Sequence, residues 1–369
     1  MVEKYHWGGL QDPILLEDLD CIAKSDLPLQ KLNKQAILIT GATGMIGSQL
    51  VMALLYYNDM YHADIRVLAL VRDERKAKKV FGDLFYHKQI RFITGDIQSL
   101  ARIEEDIDYI LHGASVTGSK DFVTIPVDTI KTALLGSINL LELARQKRVK
   151  GMVYLSSLEV YGVTDRSKTA IREEDYGYLD PLNVRSSYSE SKRMVECTCV
   201  SYAKQYGLPV KIARLCQTFG AGVDYADSRV YAEFARCIIE RKNIILHTGG
   251  ETVRNYCYTR DAIRALLLIL LQGESGCAYN VANRETAISI KNMAQLLINK
   301  YPDADINIEY ELADAQKLGY NPEVKIELDT SRLQALGWKA EVGLADMFDR
   351  MMQSMIERNR KENLRENNN

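Results

Sequence analysis

Short aliphatic runs alternate along this chain with longer stretches in which apolar residues recur every three or four positions. The run at 37–39 ends at Gly41, Gly44 and Gly47, after which Ile46, Leu50, Leu54 and Leu55 return at helical spacing. The short pattern recurs at 65–71, 90–93, 109–111 and 152–155. The long one fills 126–148 with Ile130, Leu134, Leu135, Ile138, Leu141, Leu143 and Ala144. A short apolar run reads as a buried strand and a 3.6-residue period as a helix. The resulting β–α–β–α–β order needs helical crossovers, so the pattern predicts an α/β fold with a doubly wound parallel sheet. Further on, 244–247 reads as a strand returning to that sheet, 262–271 as an apolar helix and 277–281 as a late strand. An amphipathic helix over 288–298, beginning after Ser289, precedes a short strand at 306–308 and a polar loop at 320–325. Before the first strand, Leu15, Leu16, Leu19 and Ile22 mark residues 1–35 as a helical appendage, and the polar tail 361–369 is expected to fray.

Composition narrows the class without naming a function. The 369 residues are 47% hydrophobic and 26% charged with a net charge of −2, so there is no basic surplus to hold nucleic acid. No apolar run approaches the roughly 20 residues of a membrane span, and the start MVEKYHWGGLQDP lacks the apolar core of a signal peptide, which reads as cytoplasmic. Seven scattered cysteines without CxxC spacing predict reduced packing residues, and the five histidines form no HxxxH pair, so no metal is expected.

Two stretches carry chemistry. In the turn after the first strand, Gly41, Thr43, Gly44, Met45, Ile46 and Gly47 are candidates to cradle a dinucleotide pyrophosphate. Glycines permit close backbone approach there, and the next helix presents free N–H groups and its positive dipole end. At the end of the second strand, where NAD-binding units carry an acid for the ribose, the chain has Arg72. A guanidinium there suits a 2′-phosphate, which tips the cofactor reading of NAD or NADP slightly toward NADP. The second stretch is SSYSESKRMVE, in which Tyr188 and Lys192 stand four apart on one helical face. A nearby ammonium favours phenolate, so Lys192 is expected to lower the Tyr188 pKa, while Ser157 at a strand's carboxyl end could hold a substrate oxygen beside it.

Together, TGATGMIG, SSLEVYG and the YxxxK pair resemble the extended short-chain dehydrogenase/reductase family of nucleotide-sugar epimerases, dehydratases and decarboxylases, over residues 36 to 350. The pattern is closest to the branch containing UDP-glucuronate decarboxylase and dTDP-glucose 4,6-dehydratase. The resemblance implies a Rossmann-type dinucleotide-binding domain at 36–214, with 244–281 returning to its sheet, and a smaller substrate lobe at 215–243 and 282–360. It implies that Asp96 and Ile97 meet the adenine and that Gly113, Ala114 and Ser115 lie under the nicotinamide ribose. Catalysis would fall to Ser157, Tyr188 and Lys192, with Glu159 at the position of the dehydratases' C5 base. Gln217, Arg229, Arg254 and Lys325 would bind substrate, a nucleoside-diphosphate sugar, and the protein would be a homodimer.

Departures from the pattern matter as much. Leu158 replaces the aspartate with which dehydratases expel the leaving hydroxyl, which argues against 4,6-dehydration. Ala133, Gln217 and Ala221 replace other family residues, implying a reshaped sugar pocket. The leading expectation is an NAD(P)-dependent oxidoreductase of a nucleotide sugar serving surface polysaccharide synthesis. An NADPH-consuming reductase of a nucleotide-linked keto sugar, yielding a nucleotide-linked alditol, is one alternative. A non-catalytic dinucleotide-binding scaffold is the other.

Overall fold

The computed structural model describes residues 7, 10, 12–100, 102–165, 167–312 and 323–366. Its strands are β1 (Ala36–Thr40), β2 (Arg66–Val71), β3 (Ile90–Thr94), β4 (Tyr109–His112), β5 (Gly151–Ser157), β6 (Val210–Leu215), β7 (Gln217–Phe219), β8 (Ile244–Leu246), β9 (Val253–Tyr258), β10 (Ala278–Val281), β11 (Asn283–Ser289), β12 (Ile308–Tyr310) and β13 (Lys325–Ile326). Seven form one parallel sheet in the order β10-β6-β5-β4-β1-β2-β3. The chain order reverses between β1 and β4, and ligands of such sheets lie in the crevice at that point, outside the strands' carboxyl ends.

Helices cover both faces, which is why β1 is apolar and buried along its whole length rather than alternating. Ile37 and Ile39 join a core with Leu50, Leu54, Ile263, Leu266 and the N-terminal Leu15, Leu19 and Ile22. Leu38 points the other way, into a core with Leu140, Leu141, Val195 and Cys199. A third core gathers Phe219, Phe234, Tyr256, Leu297 and Phe348. The helix Pro13–Ala23 starts at Asp12, whose carboxylate accepts from Leu15 N at 3.1 Å and from Ser354 Oγ at 2.5 Å, fastening the N-terminal segment to the last helix.

Some boundaries differ from the sequence reading. Of 244–281, only β10 joins the large sheet as a strand. β8 pairs with β12, and β9 lies between β11 and β13 and also pairs β7. A short aliphatic run is compatible with any buried strand, and its partner is chosen by packing far along the chain. The 306–308 strand is displaced to β12. The backbone of the expected tail is helical through 366 in Leu344–Glu366, and its last three residues lie outside the described residues, as do 320–322 of the polar loop. The cysteines are free, although Cys21 and Cys197 are exposed rather than packed.

Candidate active site

β1 delivers the chain into a left-handed turn at Gly41 (φ +67°), a conformation that glycine adopts at little cost. A Cβ on Gly41 would stand 2.8 Å from Ala114 N, and one on Gly47 would stand 2.2 Å from the Gly41 carbonyl oxygen, so strand, turn and helix approach too closely for side chains. The helix Met45–Tyr61 begins at Gly44 with no side-chain cap on its first N–H groups. Uncapped donors at a helix N-terminus, in a turn kept clear of side chains, fit a dinucleotide pyrophosphate.

Beneath this turn, Thr40 Oγ1 accepts from Ala114 N at 3.2 Å and pairs with His112 Nδ1 at 2.8 Å, while His112 Nε2 meets Ser137 Oγ at 3.0 Å. Burial, followed by the nearby Lys192 cation, lowers the His112 pKa to about 3 and keeps the imidazole neutral. This chain ties β1, β4 and the helix Pro126–Lys147 under Gly113, Ala114 and Ser115. Asp96 caps the short turn Ile97–Ser99, accepting from Gln98 N at 2.7 Å. Arg72 is exposed after β2 with no ion pair among the described residues, whereas the following Asp73 is committed to capping Glu74–Phe81.

Ser157, Tyr188 and Lys192 meet at the carboxyl end of β5. Ser157 lies close enough to Tyr188 to favour its phenolate, and its hydroxyl accepts from Glu159 N at 3.2 Å. Lys192 follows on the same helix, Ser187–Tyr206, but its ammonium donates to the Leu155 carbonyl at 2.8 Å and lies over the Tyr154 and Tyr188 rings at 4.7 and 5.5 Å. The expectation that Lys192 lowers the Tyr188 pKa is thereby corrected. Burial first and the Glu159 carboxylate second push the phenol well above its usual range, and the groups pulling it back are Ser157 and Arg185. The i,i+4 spacing placed both side chains on one face, but the buried carbonyl captured the ammonium.

Burial lowers the Lys192 pKa to about 8, against the pull of Glu196 and Cys199. Lys192 is therefore charged below about pH 8 and neutral above. Chemistry that uses the ammonium is expected to fall on the alkaline side with a midpoint near 8, read as the descending limb of kcat/KM against pH. Between about 8 and the ordinary lysine value the folded chain binds fewer protons than the unfolded, so stability rises with pH across that window.

Glu159 is held as a carboxylate. Burial opposes ionisation, yet Arg185, Arg254 and Ser189 together lower its pKa below the ordinary glutamate value. Arg185 donates to both oxygens at 3.0 and 3.1 Å, and Ser189 Oγ donates at 3.1 Å. Arg254, on β9, comes beside Glu159 with its Nε buried and without a hydrogen-bond partner among the described residues. Gln217 on β7 lies opposite Tyr256 of β9, and Lys325 on β13 lies opposite Val253, exposed and 3.2 Å from Glu327. Arg229 is exposed and bound to neighbouring Asp227, with Nε at 3.0 Å, so in this conformation its guanidinium is committed to that carboxylate rather than free for a phosphate. A partner two residues away outcompetes a distant site.

Sequence reasoning missed Arg185, Phe122 and the buried Glu196–Arg214 pair. Arg185 stands one turn before Tyr188, but nothing in periodicity joins it to Glu159, 26 positions earlier. No group of three or more His, Cys, Asp or Glu poised for a metal occurs among the described residues.

A parallel sheet of this order with a glycine turn at its reversal defines a Rossmann-type dinucleotide-binding protein. The chain belongs to the NAD dependent epimerase/dehydratase family, whose model matches residues 37–282. It is 29% identical over 303 residues to UDP-glucuronic acid decarboxylase 6 of Arabidopsis thaliana, spanning 79% of this chain and 85% of that one. Among solved structures it resembles the UDP-glucuronic acid 4-epimerase of Bacillus cereus, in complex with UDP-glucuronic acid and NAD (TM-score 0.73, 21% identity, 88% of this chain and 99% of that one). It also resembles the dTDP-glucose 4,6-dehydratase of Streptomyces venezuelae, solved with NAD bound (TM-score 0.72, 23% identity, 88% and 97%). The family's cofactor is NAD, and its members are enzymes.

Proposed function

We propose that this enzyme acts on a nucleoside-diphosphate sugar, oxidising a ring carbon transiently and restoring its cofactor within one cycle, as a decarboxylase or epimerase does. Bound NAD would supply the hydride acceptor. Gly41, Thr43, Gly44, Met45, Ile46 and Gly47 would hold its pyrophosphate, Asp96 and Ile97 its adenine end, and Gly113, Ala114 and Ser115 the nicotinamide ribose. Ser157 would orient the reacting oxygen, Tyr188 would exchange its proton, and Lys192 would serve the ribose. Gln217 and Lys325, in the lobe formed by 215–243 and 282–360, and Arg254 on β9 would face the substrate, with Arg229 joining only if it leaves Asp227.

The observation that carries the choice among reactions is the state of Glu159. A carboxylate of lowered pKa, clamped at both oxygens, is a weak base for C5, and its neighbour Leu158 is buried and cannot donate a proton. Dehydration needs both functions. The relatives' name makes UDP-glucuronate the first substrate to test. Incubation with NAD is expected to convert it, by mass spectrometry, with no net change at the nicotinamide absorbance band. Absence of any conversion across a panel of nucleoside-diphosphate sugars would defeat the reading.

The exposed guanidinium of Arg72 favours a second reading, a net reductase that consumes NADPH. Under it, Arg72→Ala is expected to weaken NADP binding by about 1.5–3 kcal/mol while sparing NAD, as calorimetry would measure; equal losses for both would reject it. Either product would suit surface polysaccharide synthesis.

A cytoplasmic setting belongs to this reading; no helix among the described residues is long and apolar enough to cross a membrane. Ile130, Leu135 and Ile138 on one helix and Met194 and Val200 on its neighbour are exposed apolar groups, which supports a homodimer. Sedimentation is expected to give twice the 41.8 kDa chain mass.

A further inference from the structure

Arg185 lies in the short turn Val184–Ser186 that feeds the tyrosine-bearing helix, and only 11% of its side chain is exposed. Its terminal nitrogens donate to the two oxygens of Glu159. The same guanidinium sits 4.7 Å from the centre of the Phe122 ring, and Phe122 stacks on Tyr188 with centroids 4.3 Å apart and planes 11° from parallel. Ser187 Oγ donates to the Phe122 carbonyl at 2.9 Å, fastening that ring's backbone to the start of the helix. One cation thus touches the carboxylate and, through a single ring, the phenol.

We propose that Arg185 is a positioning residue for both groups: it clamps the Glu159 carboxylate by a two-point contact and fixes the plane of Tyr188 through Phe122. The inference rests on Tyr188 exchanging the substrate proton, and it adds a residue to that reading. A planar fork satisfies both carboxylate oxygens and stacks on an aromatic face at once, which an ammonium cannot do.

The charges facing the site divide clearly. Tyr188 faces Lys192 on its own helix, Ser157 from β5 and Glu159 from the turn after it. His112 on β4 is neutral, and Glu196, one turn beyond Lys192, is paired with Arg214. Arg254 approaches Glu159 from β9, and Ser189 binds Glu159 from the helix. Glu159 is the anion that disfavours phenolate, and Arg185 is a cation acting on both. Without Arg185, a buried carboxylate loses its two-point donor and its charge bears on the phenol.

The test compares the wild-type chain with Arg185→Gln, Arg185→Lys and Arg185→Gln/Glu159→Gln, using NAD and UDP-glucuronate. In Arg185→Gln kcat/KM is expected to fall about tenfold at pH 7–8 and by less toward pH 5, where Glu159 takes up a proton, with Arg185→Lys restoring part of it. Melting temperatures from pH 5 to 8 supply a readout independent of turnover. Ionised and unpaired, Glu159 should make the Arg185→Gln deficit large at pH 8 and small at pH 5, and the double variant should lack that dependence. A loss of kcat/KM that is the same at every pH overturns the proposal, as does a melting deficit that is constant with pH. If Arg185→Gln is too slow to profile, the melting comparison decides. If the wild-type chain converts no nucleoside-diphosphate sugar, the functional reading fails while the melting comparison still decides on Arg185.

Discussion

Tyr188→Phe is expected to lower kcat/KM by about 10²- to 10⁴-fold, the range that a positioned proton-transfer group contributes. This corresponds to about 3–5 kcal/mol of transition-state stabilisation. The substitution removes one oxygen and leaves the ring, which keeps its stacking on Phe122 and its place 5.5 Å from the Lys192 ammonium. Folding and NAD affinity are therefore expected to survive, so the loss reads on proton exchange alone. Steady-state kinetics beside calorimetric NAD binding would measure both. A variant that turns over at the parent rate would remove Tyr188 from the chemistry.

Glu196→Ala is expected to cost about 3–5 kcal/mol of folding stability, the usual effect of stripping one partner from a buried ion pair. The Glu196 carboxylate accepts from Arg214 Nε at 3.0 Å, from Arg214 Nη2 at 2.6 Å and from Ser156 Oγ at 2.5 Å. Arg214 is 1% exposed. Once Glu196 is gone, the Tyr161 and Tyr176 hydroxyls and the Glu173 carbonyl remain around the guanidinium, and the Glu173 carboxylate acts on it only through space, without the direct ion pair that is lost. Chemical denaturation of both proteins would give the difference, and a loss under about 1 kcal/mol would mean that Arg214 had found another anion. The substitution also reaches the active site, because Glu196 supports the charged form of Lys192. The alkaline limb of activity should then move to lower pH, whereas Glu196→Gln, which keeps an acceptor, should retain more of the stability and show the same direction of shift.

These two residues differ in how visible they are along the chain. Tyr188 announces itself because Lys192 stands one helical turn away and Ser157 closes an aliphatic run. The glycine turn is equally local: a strand, three glycines and a helix occupy the consecutive residues 36–61. Glu196 looks like any helix glutamate until β6 brings Arg214 beneath it. Likewise, the run at 244–247 has the composition of a sheet strand, yet it pairs with β12, a partner that only folding brings to it from some 60 positions away. Arg229 shows the converse, since its partner Asp227 was two positions away and the pairing was readable.

The ionisation of the site divides along the same line. Periodicity and spacing, which act over a few residues, specify the order of strands and helices, the glycine turn and the shared face of Tyr188 and Lys192. They do not specify which charges meet. Glu159 with Arg185, Glu196 with Arg214, and Lys192 with the Leu155 carbonyl are contacts across 18 to 37 positions, Arg254 acts on Glu159 through space from 95 positions away, and the strength of all of these depends on burial acquired only when the chain folds. Desolvation and these long-range partners, rather than the neighbouring lysine, set the state of Tyr188.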